Sequence, residues 1–432
     1  MPAARIASWL ANRSVHYGRI VTGTAFLTML VTAGVVGAPG VLIVPLQREF
    51  GWSAAEVSTS FAIRLVLFGL TGPFAAALMN RYGVRPVVAA ALLLIAAALL
   101  ASLRMTTIWE LDLTWGVMVG TGTGFTAAVL GATVATRWFT HRRGLVLGLL
   151  TASSATGQLL FLPLLADITA RFGWRAAVVP IAVVLVVAAC VLFLLMVERP
   201  SDLGLAPYGE AVVTPPADAA GSPFAALREA SRVPLFWLLF GTFFVCGCST
   251  NGLIQTHFIA FCGDFAIAPV TAAGVLATMG IFDFFGTVGS GWLSDRYDNR
   301  RLLFWYYGLR GLSLLFLPFS GFTIPALSVF AMFYGLDWIA TVPPTVKLAA
   351  RRFGRERAAL VFGWIFTGHQ LGAATAALSA GLVRTAYGTY TPAFLAAGGL
   401  CLVAALAVVT LARRDGETMS ANLPEALPEP AI

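Results

Sequence analysis

Four charged side chains lie inside long apolar stretches of this 432-residue chain: Arg64, Asp283, Arg310 and Asp337. A buried carboxylate can exchange a proton, and a buried guanidinium can bind an anion. An ionisable group at the depth of a bilayer costs about 2.5–3.5 kcal/mol on insertion scales, so such residues usually serve a function. The four charges sum to zero. Two internal ion pairs are the economical arrangement, because an unpaired buried charge costs more.

Uncharged polar residues accompany these charges. Tyr334, Asp337 and Thr341 share one helical face by their three- and four-residue spacing, and Pro343 should kink the helix beyond the acid. Asp337 then either lines a cavity or is a buried structural partner. Four further residues could contact a solute or a proton, or could be hydrogen-bonded packing residues: Asn251, Gln255, His369 and Gln370.

The composition places these residues in a membrane. The chain is 58% hydrophobic and 11% charged, with a mean hydropathy of +0.84. A water-soluble core of this size does not need so much apolar surface. Twelve segments are long enough to span a bilayer. They fall near 19–46, 54–79, 85–104, 109–138, 144–171, 174–197, 234–262, 269–294, 301–320, 323–350, 358–386 and 391–412, and we number them helices 1 to 12.

Several function classes are disfavoured by the same sequence. The net charge of +8 is spread over short loops rather than clustered on one face, which argues against nucleic-acid binding. The single lysine, Lys347, is followed by Leu348, so no phosphate-binding loop is present for an ATP-driven pump. Enzyme motifs and a Cys/His ligand set are also lacking. We therefore predict no enzymatic activity, no cofactor and no metal site.

The positions of the basic residues predict the topology. With the amino terminus inside, 21 basic residues fall on the cytoplasmic side and five on the other, as the positive-inside rule requires. The predicted organisation is a cytoplasmic amino-terminal segment over 1–18, a six-helix bundle over 19–197 and a polar linker over 198–233 with five prolines. A second bundle follows over 234–414, and a disordered cytoplasmic tail over 415–432. The expected location is the cell (inner) membrane.

The two halves repeat at an offset of 215 residues. Asn80-Arg81-Tyr82 falls on Asp295-Arg296-Tyr297, Arg85 on Arg300, and Arg137 on Arg352. Several glycines also coincide, among them Gly120 with Gly335 and Gly173 with Gly388. Two parallel repeats about an axis normal to the membrane are typical of secondary transporters with a midplane site.

With twelve helices and this repeat, the chain resembles the major facilitator superfamily over all twelve helices. The resemblance lies in the loop after helix 8, from Gly291 to Arg301, with Asp295, Arg296 and Arg300, and it implies a cytoplasmic gating motif. The copy in the first half, with Arg81 and Arg85, departs from the pattern because Asn80 stands where the family usually has Asp. The implied fold is an all-α membrane protein of two pseudo-symmetric six-helix bundles.

Within that superfamily, the run from Arg137 to Leu145 resembles the monocarboxylate and oxalate/formate carrier branch. This branch often places an acid at the position of Asp283 and an arginine where Thr287 stands. In the implied fold helix 9 packs outside the central helices and helix 10 lines the cavity. Arg310 is therefore expected to be a structural partner of Asp283 or Asp337.

These observations lead to one preferred function and two alternatives. Under the repeat, Arg64 falls on Met279, one turn from Asp283, so the two halves present opposite charges at similar depth. We expect Arg64 to hold an organic anion that moves with a proton, across a lipid bilayer, in a protein that works as a monomer. The alternatives are a proton antiporter that exports drugs or metabolites, and a non-transporting sensor or assembly protein.

Overall fold

The structure is a computed structural model of the chain. It describes residues 15–210 and 222–421 and the isolated positions 7 and 9, without the side chains of residues 128, 143, 155, 355–359 and 411–421. Most of the predicted amino-terminal segment, part of the linker and the end of the predicted tail lie outside the described residues.

Helices account for nearly all of the described chain, and their bounds agree with the twelve predicted segments to within a few residues, except at the carboxyl end. In chain order they are α1 (Gly18–Phe50), α2 (Ala54–Tyr82), α3 (Val84–Ser102), α4 (Ile108–Trp138), α5 (Arg143–Phe172), α6 (Trp174–Leu195), α7 (Pro234–Gly263), α8 (Pro269–Arg296), α9 (Asn299–Phe319), α10 (Ile324–Phe353), α11 (Arg355–Tyr387) and α12 (Thr391–Ala421).

Eleven of these helices are long and apolar enough to cross a membrane by length and composition. The other one, α11, has 33 residues but carries His369 and Gln370 near its middle. The helix α12 is described as far as Ala421, beyond the predicted boundary at 414. The extension is physically reasonable because the first proline after the boundary is Pro424.

The packing of the helices repeats from one half to the other. In the first half α1 packs on α5, α2 on α4 and α3 on α6; in the second half α7 packs on α11, α8 on α10 and α9 on α12. The halves meet where α2 contacts α11, α5 contacts α8 and α1 contacts α7. The predicted all-α fold of two pseudo-symmetric bundles is confirmed.

Two pairs of glycines show how closely the repeat is followed. A Cβ on Gly120 would lie 2.8 Å from the Cα of Arg64, and a Cβ on Gly335 would lie 2.9 Å from the Cα of Met279. The two contacts are equivalent under the repeat, because Gly335 follows Gly120 by 215 residues and Met279 follows Arg64 by the same offset. Gly173 and Gly388 end α5 and α11 with φ of +84° and +69°, values that favour glycine.

The α2–α11 contact runs along much of both helices. Near one end the backbone N–H of Ala55 donates to Thr385 Oγ1 over 3.1 Å. Further along, Thr367 Oγ1 donates to the carbonyl of Gly69 over 3.1 Å. Toward the ends that carry the arginine-rich loops, the rings of Phe74 and Trp364 lie 6.3 Å apart. We call the side of the molecule with those loops the basic end.

The linker contains structure that its polar composition did not suggest. Its beginning packs on the first half, where the N–H of Tyr208 donates to the carbonyl of Trp138 over 2.8 Å. Near its end a short helix, Pro223–Ala230, packs against α11. We call it the linker helix. Trp364 Nε1 donates to the carbonyl of Pro223 over 2.9 Å, and Phe224 lies between Phe74 and Trp364.

Candidate functional site

The helix α10 is interrupted in the middle of the second half. Its first part ends at Asp337 and its second part begins at Val342. Pro343 and Pro344 have no N–H, so the helical hydrogen-bond ladder cannot continue unbroken. The freed backbone groups of residues 337–340 need partners from elsewhere, because unpaired backbone groups at membrane depth are costly. Side chains of α8 and α9 supply them.

Arg310 of α9 is the largest contributor at this interruption. Its Nε donates to Asp337 Oδ2 over 2.6 Å, and its Nη2 donates to the carbonyls of Asp337 and Trp338 over 2.5 and 3.2 Å. Its Nη1 donates to Cys246 Sγ over 2.8 Å and to Ser249 Oγ over 3.4 Å, both on α7. All five N–H groups of the guanidinium are thus used, and three helices are joined at one point.

Asp283 of α8 contacts the same interruption from the other side. Its Oδ1 accepts a hydrogen bond from the N–H of Ile339 over 2.9 Å and another from Thr287 Oγ1 over 3.0 Å. The nearby Ser290 Oγ donates to the carbonyl of Ala340 over 2.5 Å. Thr287, at the position where the resemblance suggests arginine, therefore bonds to the acid itself.

The expectation of two internal ion pairs is wrong. Of the four buried charges, which the structure describes in full, two form an ion pair: Arg310 and Asp337. Asp283 is 5% exposed and is held by neutral donors instead. The reason is geometric. The interruption of α10 leaves the N–H of Ile339 free, and this N–H bonds to Asp283 in place of the arginine that was expected to pair with it.

Arg64 of α2 lies in the first half, 1% exposed and without an acidic partner among the described residues. Its Nη1 donates to the carbonyl of Val36 over 2.9 Å, next to the point where Pro39 interrupts α1. Its Nε has no hydrogen-bond partner in the described part of the chain. Arg64 is therefore a buried cation with donors to spare.

The predicted polar residues fall into two groups. Tyr334 and Thr341 face α7, where Tyr334 Oη donates to the carbonyl of Ser249 over 2.7 Å and Thr341 Oγ1 lies 3.5 Å from Cys246 Sγ. Asp337 reaches the same cluster through Arg310. Cys246 and Ser249, which the sequence did not single out, complete this cluster. Their three-residue spacing on one helical face was the available signal.

The second group lies along α7 and α11. His369 Nε2 is 3.3 Å from Thr250 Oγ1, and the buried amide of Gln370 has no hydrogen-bond partner among the described residues. A π-helical turn, Cys248–Ile254, contains Asn251 and precedes Gln255. Four-residue spacing does not keep two side chains on one face through such a turn. Gln255 is buried and Asn251 is half-buried.

The loop motif of the second half forms contacts at the basic end. Asp295 is paired with Lys347 of α10. Asp298 caps α9, and its hydrogen bonds with Arg300 hold the pKa of this carboxyl below its usual range. Arg296 lies over the ring of Trp292 at 4.1 Å. Arg301 is exposed, and a Cβ on Gly291 would meet no heavy atom within 4 Å.

In the first half an additional acid takes part. Arg137 Nη2 donates to Asn80 Oδ1 over 2.6 Å, and Arg137 Nη1 lies 3.5 Å from Glu198 Oε2. Glu198, just after α6, also accepts from the N–H groups of Val84 and Arg85 over 2.6 and 2.8 Å at the start of α3. Glu198 thus provides the carboxylate that Asn80 lacks. Arg81 lies over the ring of Tyr82 at 5.2 Å.

Two six-helix halves of the same packing plan, with buried charges in both, define the class of fold. The solved structure of a bacterial homolog to the human lysosomal transporter Spinster, inward-facing and unoccupied, is similar in fold, with a TM-score of 0.68 and 15% identity. The match covers 95% of this chain and 99% of that one.

The sequence model of the Major Facilitator Superfamily matches residues 24–374 and 263–431, and the chain belongs to this family. It is 27% identical to monocarboxylate transporter 13 of Rattus norvegicus, a match that covers 91% of this chain and 89% of that protein. Human monocarboxylate transporter 11 is 26% identical, over 95% and 84%. The MFS-type transporter YcxA of Bacillus subtilis (strain 168), of uncharacterised function, is 24% identical, over 79% and 82%.

The expectation of the monocarboxylate branch is thereby confirmed. The protein is a multi-pass membrane transporter for a solute and not an enzyme.

Proposed function

We propose that the protein moves a small organic anion, a carboxylate above all, together with a proton by alternating access. The observation that carries the proposal is Asp283: a buried carboxylate within a membrane span, held by the N–H of Ile339 rather than by an arginine. The names of its monocarboxylate transporter relatives support a carboxylate as the solute.

Protonation of Asp283 would have two effects. A neutral carboxyl oxygen is a weaker acceptor than a carboxylate, so the bond to Ile339 weakens and the two parts of α10 are less firmly held. The buried set Arg64, Arg310 and Asp337 then carries one excess positive charge. An anion bound near Arg64 restores neutrality, so that one proton and one anion cross together without net charge.

The remaining residues have supporting roles in this proposal. Arg310 and Asp337 form the structural pair next to the solute path, while Tyr334, Asn251, Gln255, His369 and Gln370 are the candidates for polar contact with the solute. The motifs at the basic end act as the cytoplasmic gate. We also propose that both termini lie in the cytoplasm, which the excess of basic residues at the basic end supports, and that the protein belongs to the inner membrane. We further propose that the monomer suffices, with a first bundle over 19–197 and a second bundle that begins at 234 and includes all of α12.

Uptake into proteoliposomes driven by a pH step tests this function. The wild type should take up radiolabelled monocarboxylates when the outside is acidic. Asp283→Asn should lose pH-driven uptake at least tenfold but retain exchange of anion for anion, since the carboxyl no longer titrates. Arg64→Gln should lose both. Asp167→Asn, which alters a surface ion pair with Arg171, is the matched control and should behave as wild type.

Full pH-driven uptake by Asp283→Asn would show that the mechanism is wrong, whatever the result for Asp337→Asn. The second candidate function is a proton antiporter for drugs or metabolites. Repeating the assay with a panel of lipophilic cations as solutes, in place of the monocarboxylates, distinguishes it from the first. That candidate predicts proton release from the vesicles on addition of a cation and no response to carboxylates.

A further inference from the structure

A crevice of about 790 Å³ opens between α7 and α12, and none of the four buried charges is among its lining residues. Its walls are apolar, with Leu238 and Val245 on α7 and Leu400 and Val403 on α12. Leu400 and Val403 are 45% and 62% exposed, so the crevice opens to the outside of the helix bundle. Its volume lies within the roughly 300–1,000 Å³ of ordinary ligand pockets.

The floor of the crevice is made of small residues. A Cβ on Gly241 would meet no heavy atom within 4 Å, and Ala404 and Ala407 line the opposite side. The helices α7 and α12 are therefore in contact on the side that faces the bundle interior, and a continuous gap remains between them on the side that faces outward. A larger side chain at position 241 can be added without a clash, which makes it a direct way to fill the gap.

The dimensions of the crevice fit one leaflet of a bilayer. From Pro234 to Val245 the helix rises roughly 17 Å, at 1.5 Å per residue. This is about half of the ~30 Å thickness of a hydrocarbon core. Since α7 begins at the basic end, the crevice extends from that surface to the middle of the membrane.

The mouth of the crevice is polar and positively charged. Exposed Arg232 and half-buried Ser231 form its rim just before α7 begins, and Arg228 lies one turn earlier on the linker helix. Trp237 lines the entrance, and its Nε1 donates to the carbonyl of Ser231 over 2.7 Å. Tryptophan of this kind is typical of the membrane–water interface. Basic pockets between membrane helices on the cytoplasmic side attract anionic lipid head groups.

We propose that this crevice binds one acyl chain of an anionic glycerophospholipid, with the lipid phosphate at Arg232. The apolar walls match the chain, the length matches one leaflet, and the charge at the rim matches the head group. The crevice contains none of the residues of the proposed transport path, so the lipid proposal can be tested independently of the proposal of anion transport. The occupant is a lipid of the leaflet that faces the basic end.

Native mass spectrometry of the purified full chain tests the proposal. The protein is incubated with equal amounts of palmitoyl-oleoyl phosphatidylglycerol and the phosphatidylcholine with the same chains. We expect the wild type to retain phosphatidylglycerol at least fivefold more often. Arg232→Gln should keep lipid adducts but lose the preference for phosphatidylglycerol, and Arg232→Lys should keep it. Gly241→Leu should lose the adducts of both lipids at least fivefold.

The matched control is Gly23→Leu on α1, another exposed glycine where a Cβ would meet no atom within 4 Å. It should retain wild-type adducts. Equal adducts for Gly241→Leu and Gly23→Leu would overturn the proposal, and so would an unchanged lipid preference in Arg232→Gln. If Gly241→Leu instead shifts the protein from dimer to monomer at constant lipid content, the crevice is an interface between copies and the lipid assignment is wrong.

Discussion

At the scale of single residues, Arg310 shows how a buried charge can serve the backbone. The guanidinium is paired with one acid, yet two of its hydrogen bonds go to carbonyls that the interruption of α10 has freed. Arg64 does the same for the carbonyl of Val36 at the interruption of α1. Both arginines therefore stabilise irregular helices, and Arg64 has donor capacity left for a solute.

Removal of Arg310 should be among the most destabilising single changes in the chain. Arg310→Leu leaves Asp337 as an unpaired buried acid and leaves two carbonyls without partners, at a cost of about 3–5 kcal/mol. Thermal unfolding in detergent should show a clear decrease in melting temperature. The control Arg171→Leu breaks an exposed ion pair and should cost at most about 1 kcal/mol.

The double variant Arg310→Leu/Asp337→Leu sharpens this prediction. It contains no unpaired acid, so it should be more stable than Arg310→Leu alone even though the carbonyls remain without partners. A double variant that melts below the single variant would contradict the assignment of the penalty to the unpaired carboxylate.

At the scale of elements, the linker helix connects the two halves at the basic end. The ring of Phe224 lies 5.3 Å from Phe74 of the first half and 6.3 Å from Trp364 of the second. Contacts of this kind contribute roughly 0.5–1.5 kcal/mol per ring pair. They lie at the basic end of the α2–α11 contact, where Phe74 and Trp364 also meet.

Phe224→Ala should loosen the linker helix without unfolding the bundles. The loss of two ring contacts, about 1–3 kcal/mol together, should raise the population of the detached helix roughly five- to hundredfold. Limited trypsin digestion, with fragments identified by mass, should show faster cleavage after Arg228 and Arg232 by the same factor. Phe319→Ala removes a ring that is 74% exposed and serves as the control. Equal cleavage rates in the two variants would show that the ring contacts of Phe224 do not hold the linker helix in place.

At the scale of the whole molecule, the two halves share equivalent packing contacts at the 215-residue offset. Gly120→Ala and Gly335→Ala each place a Cβ under 3.0 Å from the backbone of the neighbouring helix, at Arg64 and Met279. The helices must shift, so each change should cost about 1–3 kcal/mol. Thermal unfolding of both variants should show similar decreases. Gly308→Ala meets no heavy atom within 4 Å and should be neutral or slightly stabilising; a decrease equal to the other two would argue against a packing cause.

The fold was largely predictable because membrane spans are read from length and hydropathy, and because the repeat is visible at fixed offset. The four buried charges were also recognisable one by one. Their partners were not, since the interruption of α10 creates backbone donors and acceptors that sequence spacing does not reveal. Asp283 accepts a hydrogen bond from the N–H of Ile339. Glu198 supplies the carboxylate that is missing at Asn80, and it bonds to the N–H of Val84, which is 114 residues away in the sequence.

The linker has two separate attachments, and this gives the chain a modular boundary. Glu198 and Tyr208 are bound to α3 and α4, whereas Pro223 and Phe224 are bound to α11. The linker helix also contacts Phe74 of α2, so it joins the two bundles at the basic end. Complementary fragments divided between positions 210 and 222 would keep the contacts within each bundle, and the ring contact between Phe224 and Phe74 would form again when the co-expressed fragments reassemble. A division right after α6 would instead leave the first bundle without the carboxylate that caps α3.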